Sequence, residues 1–122
     1  MREIIFRGKH KYSNGEIDEW RYGSLSVMDN GGHTFIIDHK ADCIIEVDPS
    51  TVGQYTGLED CTGVMRIYEG DVLREPAYGD TVTVEWKRGG FVIKYGNGDE
   101  AALANMHEYC KVIGNIHDGV KG

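Results

Sequence analysis

The segment from Thr51 to Leu73 constrains this chain more than any other. It carries Gly53, Gly57, Gly63 and Gly70 at uneven spacing, each beside a short polar or apolar run. Glycine adopts backbone angles closed to other residues, so this pattern predicts tight turns between short strands. The rest of the chain agrees, with 17 glycines against 2 prolines. β-type runs fall at Glu3 to Arg7, Trp20 to Met28, Thr34 to Asp38 and Cys43 to Val47, and Tyr109 to Ile116 reads as a last strand. The first places Ile4 and Phe6 on one face; the second changes phase at Gly23-Ser24, which predicts a bulge. Asp29-Asn30-Gly31-Gly32 is a hairpin signal, because Asn and Gly accept positive φ cheaply.

The clearest hairpin follows the glycine-rich block. Val82, Val84 and Trp86 share one face of the run from Thr81, Lys87-Arg88-Gly89-Gly90 turns the chain, and Phe91, Ile93 and Tyr95 return in phase. Val82, Val84, Trp86, Phe91 and Ile93 are therefore expected in one core. Asp48-Pro49 is expected to open one helical turn, with Asp48 as the cap and Pro49 in first position. Glu100 to Met106 has Ala-rich helical composition, two turns at most. Asp118 to Gly122 is expected to fray. With 122 residues, these elements predict a single, mainly β domain spanning the chain, small-barrel-like, with minimal helix.

Charge and composition exclude several functions. A net charge of -7 and the lack of a basic cluster oppose non-specific nucleic-acid binding. Lys9-His10-Lys11 and Lys87-Arg88-Gly89-Gly90 read as solvated turns. No apolar run approaches the roughly 20 residues of a membrane span, and the amino terminus is too short in apolar residues for a signal peptide, so a cytoplasmic protein is expected. The 3 cysteines, Cys43, Cys61 and Cys110, are odd in number and match no C-x-x-C spacing; they read as plain thiols. His10, His33, His39, His107 and His117 form no metal-ligand motif. His33 and His39 should flank a strand. No serine or cysteine nucleophile signature and no phosphate-binding loop occur, so neither a cofactor nor a catalytic metal is expected.

Five ordered blocks resemble the YopX family, small proteins found chiefly in bacteriophages and prophages of low-GC Gram-positive bacteria. Thr51 through Asp60 resembles its central signature and Ile67-Tyr68-Glu69-Gly70-Asp71-Val72 its second. Val84-Glu85-Trp86 with Gly90-Phe91 resembles the third, and Val112-Ile113-Gly114-Asn115-Ile116 the carboxyl-terminal one. The opening, with Phe6-Arg7-Gly8-Lys9 and Trp20-Arg21-Tyr22-Gly23-Ser24-Leu25, also fits. Cys61 after Asp60, and Gly119-Val120 near the end, depart from the family pattern. The resemblance implies a largely β, barrel-like domain, often an oligomer, and no reaction. It marks Gly53, Asp60, Glu69, Gly70, Asp71, Gly114 and Asn115 as motif turn residues.

Among possible sites, Glu69-Gly70-Asp71 could offer two carboxylates to a cation, but Gly-Asp before a strand is a common turn device, repeated at Gly79-Asp80. Gln54, Tyr55, Thr56 and Gly57 concentrate hydrogen-bonding groups and form the candidate binding loop; if buried, Tyr55 packs while Gln54 and Thr56 satisfy backbone. Trp20, Tyr22, Trp86, Phe91 and Tyr95 could stack bases, but their phases point to packing. The expected function is a non-enzymatic phage accessory protein that binds protein partners and forms homo-oligomers. A nucleic-acid-associated small barrel or acidic nucleic-acid mimic is the alternative.

Overall fold

The computed structural model describes residues 4–76 and 79–120. They are mainly β, as the turn density predicts, and gather into two compact units, Met1–Tyr55 and Thr56–Gly122. Met1-Arg2-Glu3, where the first predicted strand begins, and residues 121–122 lie outside the described residues.

In the first unit, β1 (Phe6–Lys11), β2 (Ile17–Met28), β3 (His33–Asp38) and β4 (Cys43–Glu46) form successive antiparallel hairpins. The first half of β5 (Gly53–Glu59) adds beside β1, with Phe6 opposite Gln54. β2 is long enough to serve two partners: Ile17 to Gly23 pair with β1, and Ser24 to Met28 pair with β3. The phase change at Gly23-Ser24 marks this handover rather than the predicted bulge; the register irregularity falls between Lys9 and Lys11. Gly23 is required by close approach, because a Cβ there would lie 2.0 Å from the Ile37 carbonyl oxygen.

Side chains of Ile36, Ile45 and Val47 form this unit's buried core, with Phe6, Leu25, Cys43 and Val52 packed against it. Ile4 does not share that fate and is 68% exposed. At the β2–β3 connection the left-handed residues are Asp29 and Asn30 (φ 55° and 53°), while Gly32 takes an ordinary φ of -66°. The expected turn at Asp48-Pro49 is a single 3-10 turn, Pro49–Thr51, whose cap Asp48 accepts from the Ser50 amide at 3.0 Å. A lone bridge between His10 and Val47 and the Asp48 N–H to Lys9 carbonyl bond bring the end of β4 back to β1. No ladder follows, so the sheet curls without closing into the expected barrel.

In the second unit, β6 (Arg66–Tyr68) lies beside the second half of β5. β7 (Asp71–Arg74), β8 (Thr81–Lys87), β9 (Gly90–Lys94), β10 (Glu100–Ala102), β11 (Lys111–Asn115) and β12 (Gly119–Val120) form an open sheet of order β10-β9-β8-β7-β11-β12. Its core is Ile67, Leu73, Val82, Val84, Ile93, Leu103 and Cys110.

The β8–β9 hairpin has the predicted phase, with Val84 opposite Ile93 and Trp86 opposite Phe91. Trp86 nevertheless leaves the core and is 50% exposed. It belongs to the last pair but one before the turn; its partner Phe91 still packs against the core, and Trp86 lies edge-on to Phe91 at 4.9 Å. Arg88 and Gly89, both at positive φ, make that turn.

Three further expectations are corrected. Glu100 to Ala102 pair with β9 as a strand, leaving helix α1 only Leu103–Met106; ladder bonds and the fully buried Leu103 override Ala propensity. Gly119 and Val120 pair with Asn115 and Gly114 instead of fraying. Ile116 falls beyond β11 and is 60% exposed, out of phase with buried Cys110. No helix among the described residues is long and apolar enough to cross a membrane.

Candidate functional site

The predicted binding loop is not a loop. Gln54, Tyr55, Thr56 and Gly57 lie within β5, where Tyr55 and Thr56 are buried. The Tyr55 amide donates to the Ile5 carbonyl at 2.8 Å. The Thr56 hydroxyl donates to the Ile67 carbonyl at 2.8 Å and accepts from the Leu58 amide. Gly53 opens the strand, opposite Arg7, and Gly57 takes a φ of 84°. These groups serve the sheet.

The other motif residues are also turn devices. Gly70 has a φ of 91°, and the buried Asp71 carboxylate accepts from the Tyr68 amide at 2.8 Å. Gly114 stands at the register shift of β11. Asn115 accepts from the amides of His117 and Asp118 and donates to the Asp118 carboxylate, shaping the turn into β12.

Asp60 stands apart. It is 4% exposed, and its two oxygens face different segments. Oδ1 accepts from the Thr62 amide at 2.9 Å and from the Thr62 hydroxyl, while Oδ2 accepts from the Val112 amide at 3.0 Å. Burial alone would raise its pKa. The Thr62 hydroxyl, the Val112 and Thr62 amides and the Lys111 charge outweigh that and hold it below the ordinary carboxylate range.

Around Asp60 a turn is closed by bonds from every side. The Asp60 amide donates to the Met65 carbonyl and the Gly63 amide to the Asp60 carbonyl, both at 2.9 Å. The Thr62 hydroxyl accepts from the Val64 and Met65 amides at 3.3 Å, and Gly63 supplies a φ of 73°. Its foot is tied down as well: Cys61 N–H donates to the Cys110 carbonyl at 2.8 Å, and His107 Nδ1 donates to the Glu59 carbonyl at 2.7 Å. This hydrogen-bonded frame holds up two apolar side chains, Val64 at 83% and Met65 at 52% exposure. Tyr109, 60% exposed, immediately precedes Cys110. Sequence reasoning named Asp60 only as a motif turn residue and passed over Val64 and Met65. The available signal was two bulky apolar residues directly after a turn glycine, where polar ones are usual.

The remaining histidines have local roles. His33 donates from Nδ1 to Glu46 at 3.0 Å and lies 3.8 Å from Asp29; His39 pairs with the Ser24 hydroxyl, and His10 packs on Tyr12 at 4.1 Å. His33 and His39 do stand at the two ends of β3. Among the described residues, no group of three or more His, Cys, Asp or Glu is placed to hold a metal ion. Trp20, weighed as a stacking platform, has the Arg7 guanidinium 4.4 Å and the Lys9 ammonium 5.4 Å from its ring centroid.

The YopX protein family matches residues 5–120, nearly the whole chain, and the chain belongs to that family. No curated protein matches it.

Proposed function

We propose that this YopX-family chain is a non-enzymatic accessory module, encoded by a phage or prophage and working in the cytoplasm of the bacterial host, that binds a protein partner through Val64 and Met65. The observation that carries the reading is the Asp60-framed turn. A folded chain ordinarily buries large apolar side chains, and single exposed ones need no explanation. Two adjacent ones on a turn fixed by at least six hydrogen bonds are different, because rigid presentation lowers the entropy cost of docking. The partner's chemistry follows from this chain: an apolar pocket for Val64 and Met65, with a basic rim to complement a net charge of -7.

Burying each side chain fully is worth about 1.5–3 kcal/mol, so replacing both with serine should weaken binding at least about tenfold. The test is comparative capture from phage-infected host lysate with the wild-type chain and with V64S/M65S. Proteins recovered by the wild type and lost by an equally folded double variant support the reading. Equal recovery of every partner by both refutes it.

Self-association is the second element of the proposal. β4 is an edge strand with Ile44 69% exposed, and Tyr22 on β2 is 45% exposed; edges of this kind are closed, covered or paired with another chain.

One observation favours the nucleic-acid alternative. Trp86 is half exposed beside Lys87 and Arg88 at the β8–β9 tip, an aromatic next to cations. Lys87 is already paired with Glu100. Quenching of Trp86 fluorescence by single-stranded oligonucleotides, lost at high salt, would favour that reading over the protein-binding one.

A further inference from the structure

We propose that Cys61 and Cys110 form a reversible disulfide that locks the foot of the Asp60 turn. The two residues are 49 positions apart in sequence, yet the Cys61 amide donates to the Cys110 carbonyl at 2.8 Å. Backbones joined by such a bond run close enough for their Cα atoms to fall within the window of about 4.4–6.8 Å that a disulfide spans. The backbones are held on both sides of the pair: His107 donates to the Glu59 carbonyl before it, and Asp60 accepts from the Val112 amide beside it. Joining the sulfurs requires the exposed Cys61 side chain to turn toward Cys110, which packs in the core. Both thiols are free in the structure.

Their exposures divide the roles. Cys61 is exposed and meets a dissolved oxidant first; Cys110 is fully buried and cannot. Burial, with Glu75 and Cys61 nearby, pushes the Cys110 thiol up to about 11 and makes it a weak nucleophile, so its part in the second step rests on its place beside Cys61 and not on its acidity. With a peroxide as oxidant, the Cys61 sulfur attacks the O–O bond, becomes a sulfenic acid and releases water. The Cys110 sulfur then displaces that hydroxyl as a second water, its proton leaving with it. In sum, two thiols and one hydrogen peroxide give one disulfide and two waters. The bond would tether Cys61 to Cys110, the residue just before β11, and rigidify the turn that carries Val64 and Met65. Any consequence for partner binding rests on the function proposed above; the bond itself does not.

The test treats the purified full chain with hydrogen peroxide, alkylates the remaining thiols under denaturing conditions and maps peptides without reduction. The expected result is a peptide linking Cys61 to Cys110, with Cys43 the one alkylated thiol. Intact mass should fall by two hydrogens, and Tm should rise by about 5 °C or more and return with dithiothreitol. Cys61→Ser, at an exposed position, must abolish the linked peptide and the Tm shift while leaving the untreated Tm unchanged; Cys110→Ala must abolish the linkage as well. A Cys61–Cys61 link between two copies, or Cys61 carried on to sulfinic acid while Cys110 remains a thiol, would overturn the proposal. Mapping reads the bond whether or not any partner exists, so its failure is distinct from failure of the binding reading.

Discussion

Replacing Asp60 with asparagine tests the framework of the exposed turn. The carboxylate accepts three hydrogen bonds at 4% exposure, from the Thr62 amide, the Thr62 hydroxyl and the Val112 amide. Asparagine has nearly the same volume, so packing is preserved and the chemistry alone changes. Its single carbonyl oxygen can serve Thr62, but its amide group then confronts the Val112 N–H, donor against donor. A hydrogen bond to a charged acceptor is worth about 1.5–3 kcal/mol, and a buried unsatisfied amide adds a similar penalty. The expected loss is about 2–3 kcal/mol, confined to the second unit. Urea unfolding followed separately by Trp86 in the second unit and Trp20 in the first would resolve it, with amide exchange at Val112 speeding up about 30-fold or more. The pH dependence gives an independent check. Because the folded state depresses the Asp60 pKa, its contribution is complete above the unfolded value near pH 4 and is lost as pH falls through the folded value. The asparagine variant should lack that acid-side component. A destabilisation below about 0.5 kcal/mol with unchanged Val112 protection would refute the reasoning.

Gly23→Ala should cost more than about 3 kcal/mol or prevent folding of the first unit, since its Cβ would lie 2.0 Å from a backbone oxygen; near-wild-type circular dichroism melting would contradict this. Trp86→Ala should cost about 1 kcal/mol, mostly its edge contact with Phe91, whereas Val84→Ala in the core should cost about 2–3 kcal/mol; the reverse order in urea titrations would refute that ranking. Light scattering at micromolar concentration should give a mass above the 13.6 kDa of one chain, with an interface exceeding about 1,000 Å²; one-chain mass unchanged on tenfold concentration would remove self-association.

Local rules carried much of the fold. Alternation alone placed Val82, Val84 and Ile93 in one core, and Asp48-Pro49 announced its 3-10 turn, because both depend on neighbours in sequence. The misreadings lie where distant partners decide. Glu100 to Ala102 look helical until β9 is beside them, and Trp86 looks internal until the core's extent is known. Gly23 reads as a bulge although its reason is the Ile37 carbonyl of another strand. The candidate site was hidden for the same cause: Asp60 reaches Val112, and Cys61 meets Cys110, about 50 residues away, contacts that no local pattern records. Gln54 to Gly57 read equally as a recognition loop or as buried groups serving backbone; the structure places them in β5, where the Thr56 hydroxyl bonds to backbone.

The central claim is that a partner protein is held by Val64 and Met65. The most direct measurement is methyl NMR of the wild-type chain titrated with a partner recovered by the comparative capture. The account predicts that the methyl signals of Val64 and Met65 shift or broaden at stoichiometric partner while those of buried Val82 and Leu103 stay in place. Perturbation centred elsewhere on the chain, with Val64 and Met65 unmoved at saturation, would contradict it.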